Sequence, residues 1–179
     1  MAYKSLIGDL KLVRNLIQDE TENPYTAAVS KGYGSSTNYV FALGILDPAS
    51  ATPTDTELYT QQHRSKLPLI VTVTQISNPA GRGIAGEEQF WGVLVRCFVS
   101  ADSMWTFKTA KRGAEEMAAE KLNEIAYEFT TDLTIQAALA AAGLILPAEG
   151  VGDIRPIVDK ERQDFAYAMD MLIMRNRVA

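Results

Sequence analysis

The sequence predicts an α+β fold in which helices pack on a mixed or antiparallel sheet that includes a long β-hairpin. Three patterns favour this class: a helical apolar period near the N-terminus, two neighbouring strand-like runs, and an alternating run near the C-terminus. The chain has 179 residues, of which 47% are hydrophobic and 22% charged, as in ordinary globular proteins. Because this length suits one core, we predict a single domain over residues 1–179.

The first predicted element is an amphipathic helix over residues 5–19. Its apolar residues recur at steps of three and four and are Leu6, Ile7, Leu10, Val13, Leu16 and Ile17. The Asn23-Pro24 step marks the exit of the chain from this helix. Residues 38–46 are rich in β-forming side chains and indicate a strand, whereas residues 47–66 have the composition of an irregular connection.

Two strands of a hairpin are predicted in the middle of the chain. Residues 67–77 alternate along one strand, and residues 89–100 form a second, more apolar run. The intervening residues 78–88 are rich in glycine and charge. We therefore expect an antiparallel pair whose tip projects as a long polar loop.

The second half of the chain predicts two helices and a closing strand. Residues 107–129 keep apolar steps of three to five and form the longest predicted helix, which we expect to pack on the sheet. A second helix is predicted within residues 132–146, closed by Gly143 and by Pro147 beyond it. Residues 164–176 alternate between two largely apolar faces, which favours a strand of the sheet core over the lining of a ligand pocket.

The chain contains one His and one Cys, too few for a zinc site or for most nucleophilic mechanisms. His63 lies in the polar run 60–66 and is predicted as a solvated loop residue, with a proton shuttle as the alternative. Cys97 lies in a strand-like run and is predicted as a small buried hydrophobe. We therefore expect no catalytic residue, no cofactor and no metal, and we do not expect an enzyme.

The charge balance and the hydropathy restrict the partners. A net charge of −5 argues against the broad basic surface that nucleic-acid binding requires, so we expect no specific nucleic-acid partner. No segment approaches the length of apolar sequence that spans a bilayer, so no membrane association is expected.

Residues 81–86 match the dinucleotide fingerprint G-x-G-x-x-G. That fingerprint holds a pyrophosphate at the N-terminus of a following helix, but here Glu87 and Glu88 follow and lead into a strand. Two carboxylates would repel the ligand. We therefore interpret the glycines as flexibility in the hairpin tip.

Four glutamates recur every four residues along the long predicted helix, at Glu116, Glu120, Glu124 and Glu128. Like charges at this spacing are mutually unfavourable in a helix. The pattern indicates either a solvated helix back, relieved by Arg112 and Lys121, or an acidic ridge that meets basic groups of a neighbouring subunit. The candidate interface residues, from the hairpin, this helix and the last strand, are Asn78, Arg82, Glu87, Glu88, Glu116, Glu120, Glu124 and Arg175.

Two segments resemble the tail terminator, or neck, proteins of long-tailed bacteriophages. The first is FWGVLVRCFV at residues 90–99, followed by the Ala- and Glu-rich helix within 110–129. The second is DIRPIVDKERQDFAYAMDM at residues 153–171, where an acidic residue and Arg lead into an alternating last strand. The resemblance extends over roughly residues 65–179 and leaves 20–66 without a counterpart.

The resemblance implies a structural subunit that forms a homohexameric ring at the end of the tail. Such a ring would stop tail-tube polymerisation and present a surface for head attachment, with no chemistry required. The implied partners are the tail tube protein and a head–tail connector or head-completion protein. The implied location is the tail or neck of the virion, assembled in the host bacterial cytoplasm. The alternatives are another connector, such as a head-closure or tail-completion protein, and a small cytoplasmic enzyme or ligand-binding domain.

Overall fold

The computed structural model of the chain describes residues 6–24, 39–43, 69–76, 88–100, 105–107, 110–157 and 164–176. The helices in this part of the chain are α1 (Leu6–Glu20), α2 (Ala114–Thr131) and α3 (Leu133–Ala141). Its strands are β1 (Val40–Leu43), β2 (Leu69–Ile76), β3 (Glu88–Ser100), β4 (Trp105–Phe107), β5 (Ala110–Arg112), β6 (Leu144–Ile145), β7 (Arg155–Ile157) and β8 (Asp164–Asn176).

The main sheet has six strands in the order β1-β2-β3-β8-β6, with β7 also paired to β8. Strand β1 runs parallel to β2, and every other pair in this sheet is antiparallel. The longest ladder joins β3 to β8 over the whole length of both strands. The chain is therefore an α+β protein with helices on a mixed sheet, as the sequence predicts.

The hydrophobic core lies between one face of the sheet and the helices. Val73, Val95 and Met169 stand in register across β2, β3 and β8, and all three are fully buried. Helix α1 packs against β1 and β2, and α2 packs against β3 and β8. The aromatic and Met residues predicted as core in the last strand include Met171, which is also buried.

Most of the predicted elements are confirmed. Helix α1, the strand within 38–46, the antiparallel pair of β2 and β3, and the last strand all form where their apolar periods place them. The polar hairpin tip predicted at residues 78–88 lies outside the described residues except for Glu88, which begins β3. The irregular connection predicted at 47–66 also lies outside them.

The long helix begins later than predicted. Residues 107 and 110–112, assigned to this helix by their apolar spacing, instead belong to the short antiparallel pair of β4 and β5. Gly113 then takes an extended conformation, with φ −74° and ψ 164°, and stands at the N-cap of α2. Two apolar steps are too few to specify a helix, and the aromatic and β-branched residues of β4 favour an extended chain.

Helix α3 follows α2 after a single connecting residue. The Asp132 carboxylate accepts hydrogen bonds from the backbone N–H groups of Thr134 at 2.6 Å and Ile135 at 3.4 Å, and so caps α3. Gly143 ends the helix with φ 73°, a left-handed conformation that favours glycine, which confirms its predicted role. The chain then runs along the outer edge of β8 through β6, a bridge at Val151, and β7.

Candidate functional site

The structure places only part of the predicted interface. Asn78, Arg82 and Glu87 lie outside the described residues, as do His63 and the glycine-rich residues 81–86. The register pairs Glu88 with Asn176 and Gln89 with Arg175, so Glu88 and Arg175 lie at the same end of the β3–β8 pair. The interface prediction for these residues stays a prediction.

The predicted acidic ridge along α2 is only partly exposed. Glu116 is exposed and Glu120 half-buried, whereas Glu124 is 5% exposed and its inclusion in the ridge was wrong. The physical reason is a buried partner one turn away: the Glu124 Oε2 atom lies 2.8 Å from Lys121 Nζ. The second carboxylate oxygen of Glu124 accepts the backbone N–H of Glu22 at 2.8 Å.

Lys121 is fully buried and its ammonium group meets three acceptors. It donates to the Thr21 hydroxyl at 2.9 Å, to the Glu22 carbonyl at 2.7 Å and to the Glu124 carboxylate. An ammonium group has three N–H donors, so all of them are used here. The charge also lies 4.9 Å from the centre of the Tyr39 ring, within the range of a cation–π interaction.

This polar cluster connects three elements that are far apart in sequence. The Tyr39 hydroxyl lies 2.9 Å from the Thr21 hydroxyl, beyond the end of α1. The Gln18 side-chain oxygen accepts the backbone N–H groups of Tyr39 and Val40, at the start of β1. We call Thr21, Glu22, Tyr39, Lys121 and Glu124 the Lys121 cluster. Its geometry suits it to hold the end of α1 and the start of β1 against α2.

Cys97 lies in the core beneath the helices and is fully buried. Burial raises the pKa of its thiol to about 12, and the positive charge of Lys121 lowers it by a smaller amount. The thiol therefore remains protonated and unreactive at neutral pH, which confirms the prediction of a small buried hydrophobe.

The outer face of α2 carries acidic and aromatic side chains. Glu115 and Glu116 are exposed in its first turn, and Tyr127 is 62% exposed further along. Glu115 accepts a hydrogen bond of 3.0 Å from the hydroxyl of Tyr167 on β8. That hydrogen bond to a carboxylate is the main cause that raises the pKa of Tyr167. This face can offer negative charge to a basic partner.

A different surface is formed by α3 and the chain that follows it. Residues 133–148 contain no charged side chain. Leu133 is nevertheless 78% exposed and Ile145 44% exposed. We define the α3–β6 surface as Leu133, Ala137, Ala140, Ala141 and Ile145, all of which are exposed.

An apolar cleft of about 540 Å³ opens beside these residues, between the end of α2, α3 and β6. Its lining residues are Phe129, Thr130, Gln136, Leu139, Ala140, Leu144, Ile145, Leu146, Pro147 and Ala148. Sequence reasoning missed this surface, although the run of sixteen residues without a charge was a visible signal.

Within the described part of the chain, no three His, Cys, Asp or Glu side chains come together as a metal site would require. None of the helices described is both long and apolar enough to cross a membrane. No protein-family model matches the chain, and no curated protein matches it at a significant level.

Proposed function

We propose that this chain is a structural subunit of the phage tail end or neck, which forms a ring that terminates tail-tube polymerisation and provides the surface for head–tail joining. One observation carries the proposal. The first segment that resembles the tail terminator family lies in β3 and leads to α2, and the second contains β7 and residues 164–171 of β8. Strands β3 and β8 are the longest paired strands of the sheet, and α2 packs across both. The resemblance therefore falls on one contiguous layer.

The surface chemistry supports an assembly role. A stable subunit contact buries about 800 Å² on each partner and has a core poorer in charge than the rest of the surface. The α3–β6 surface presents exposed leucine and isoleucine in a stretch without charge. The outer face of α2 presents the opposite chemistry, with the negative charges of the exposed Glu116 and the half-buried Glu120.

Electron microscopy of the purified protein in negative stain tests the proposal. We expect rings with sixfold symmetry. Rings of another order would favour the alternative connector, a head-closure or tail-completion protein. Isolated small particles without rings, at any concentration and in the presence of tail tubes, would contradict both assembly functions and favour a ligand-binding domain or enzyme.

The acidic face of α2 can be tested separately by reversing its charge. In the double variant Glu116→Lys, Glu120→Lys, we expect weaker attachment of the protein to tail tubes or connectors at low salt. The matched control is Glu149→Lys, Asp153→Lys, which makes the same charge change at two exposed positions elsewhere. Equal attachment of both double variants and the unaltered protein would remove this face from the proposed contacts.

A further inference from the structure

We infer that the α3–β6 surface binds a second copy of this chain, with Leu133 of one copy entering the apolar cleft of the next. This contact would join neighbouring subunits of the proposed ring, and only that role in a ring rests on the proposed function. The contact itself is inferred from the burial, shape and charge of residues 129–148.

Helix α3 carries no charge on the side that faces solvent or on the side that faces the core. Ile135 and Leu139 are buried against the domain. The exposed side carries Leu133, Ala137 and Ala140, together with the uncharged Thr134 and Gln136. Helices that lack a charged face are typically covered on all sides. The exposure of Leu133 indicates that a further surface completes the burial of α3.

The cleft beside α3 supplies a complementary shape. Its volume of about 540 Å³ has room for several apolar side chains. Phe129, Leu144 and Pro147 form part of its wall, and Ile145 is 44% exposed beside them. Leu133 does not line the cleft. One copy of the chain therefore carries both a projecting apolar residue and, at a different place, an apolar cavity.

Charge favours a second copy as the occupant. Each chain has a net charge of −5, so two copies repel when their acidic faces approach. Residues 133–148 carry no charge, so two copies that meet there bring fewer carboxylates together than two copies that meet through α2. A basic partner would instead be attracted to the outer face of α2.

The pairing of Leu133 with the cleft is a heterologous contact, because different parts of the two copies meet. Contacts of this kind generate a ring when the rotation between neighbours closes, and a filament when it does not. The contact thus agrees with the ring of the proposed function, although the same surface could also produce an open chain of subunits.

Sedimentation velocity of the full chain, from about 1 to about 200 µM, tests the inference. The variants are Leu133→Glu and, in the cleft wall, Ala140→Glu. We expect each to weaken self-association by at least about 100-fold, since a carboxylate would be buried without a partner. The matched control is Asn123→Glu, which makes the same charge change at an exposed position of α2 and should associate as the unaltered chain does.

Far-UV circular dichroism and the melting temperature establish that the variants fold. Leu133 is exposed and lies in the first turn of α3, where an acidic side chain is favourable, so Leu133→Glu should fold normally. A monomeric unaltered chain over the whole range would overturn the inference. So would association of Leu133→Glu and Ala140→Glu that is as strong as that of the unaltered chain, or dissociation caused by the control Asn123→Glu.

The results also separate this inference from the proposed function. Rings that persist in Leu133→Glu would overturn the α3–β6 contact and leave the ring proposal intact. Dimers or short chains of subunits that Leu133→Glu dissociates, without rings, would support the contact and count against the ring.

Discussion

Lys121 and Leu133 stand twelve residues apart and reverse the usual distribution of side chains. Lysine is almost never fully buried in proteins, yet Lys121 is 0% exposed, whereas the apolar Leu133 is 78% exposed. The buried charge has its acceptors within the chain, just beyond the end of α1 and on α2. The exposed leucine belongs to the α3–β6 surface, which a second copy of the chain could cover. The Lys121 cluster thus holds elements of one chain together, whereas the α3–β6 surface is suited to association between chains.

The largest effect is expected when the buried charge is removed. Lys121→Met leaves the Glu124 carboxylate buried without its cation, which should cost about 3–5 kcal/mol of unfolding free energy. Urea unfolding of the dilute protein measures the loss. Leu133→Gln is the matched comparison in the apolar region and should change stability by less than about 0.5 kcal/mol.

The double variant Lys121→Met, Glu124→Gln sharpens this test. It removes both charges and keeps a side-chain oxygen that can accept the Glu22 N–H. We expect it to be more stable than Lys121→Met alone, since no unpaired charge remains. A loss below about 1 kcal/mol in Lys121→Met would contradict the role of the Lys121 cluster.

A smaller effect is expected where the chain after α3 returns to the sheet. A Cβ atom at Gly150 would lie 2.8 Å from the Pro147 carbonyl oxygen and 2.9 Å from that of Leu172. Gly150→Ala should therefore cost about 1–3 kcal/mol, because backbone atoms must move. Gly113→Ala, where a Cβ meets nothing within 4 Å, is the control. Alanine is a poorer N-cap than glycine but restricts the unfolded chain, and because these effects oppose each other, stability should change by less than about 0.5 kcal/mol. Equal stability of the two variants would show that residues 146–150 pack less tightly against β8 than the structure indicates.

The cap of α3 tests how firmly the apolar surface is held. Asp132→Ala removes the acceptor for two backbone N–H groups and should cost about 1 kcal/mol. Asp132→Asn keeps a side-chain oxygen at the cap and should retain most of the stability. Thermal unfolding of the three proteins provides the comparison. Equal melting temperatures of Asp132→Ala and Asp132→Asn would show that the side-chain cap does not cause the loss of stability.

Cys97 provides a pH test of the buried side. Its folded pKa of about 12 lies above the ordinary value of 9.0, so the unfolded chain loses the thiol proton first as the pH rises. The stability linked to this group is therefore complete below about pH 9 and is lost between about pH 9 and pH 12. From about pH 9 to pH 10 the unaltered chain should lose about 1 kcal/mol more than Cys97→Ala. If the unfolding free energies of the unaltered chain and of Cys97→Ala changed in parallel with pH, Cys97 would not be a buried thiol that stays protonated in the folded chain.

The long periodic elements could be predicted from the sequence because their patterns extend over many residues. Helix α1 and strand β8 each present an apolar period that only one type of element satisfies. Strands β6 and β7 have two and three residues, too few for a period, and they exist because β8 offers an edge to pair with. The β4–β5 pair was mistaken for the first turns of α2 for the same reason.

The candidate site was harder to predict, because burial of a charged residue depends on contacts across the fold. Glu124 shares the four-residue spacing of Glu116 and Glu120, and spacing alone places all three together. Its burial follows from Lys121 and from the end of α1, which are brought beside it only in the folded chain. The missed α3–β6 surface was visible as a run without charge, but its exposure depends on which side of α3 faces the core.

Hydrogen–deuterium exchange of the full chain at low and high protein concentration tests the difference between the two regions most directly. We expect amide protection in residues 133–148 to increase with protein concentration. The Lys121 cluster should keep the same protection throughout, since its contacts lie within one chain. Unchanged exchange in residues 133–148, or new protection confined to the outer face of α2, would contradict the assignment of the α3–β6 surface to self-association.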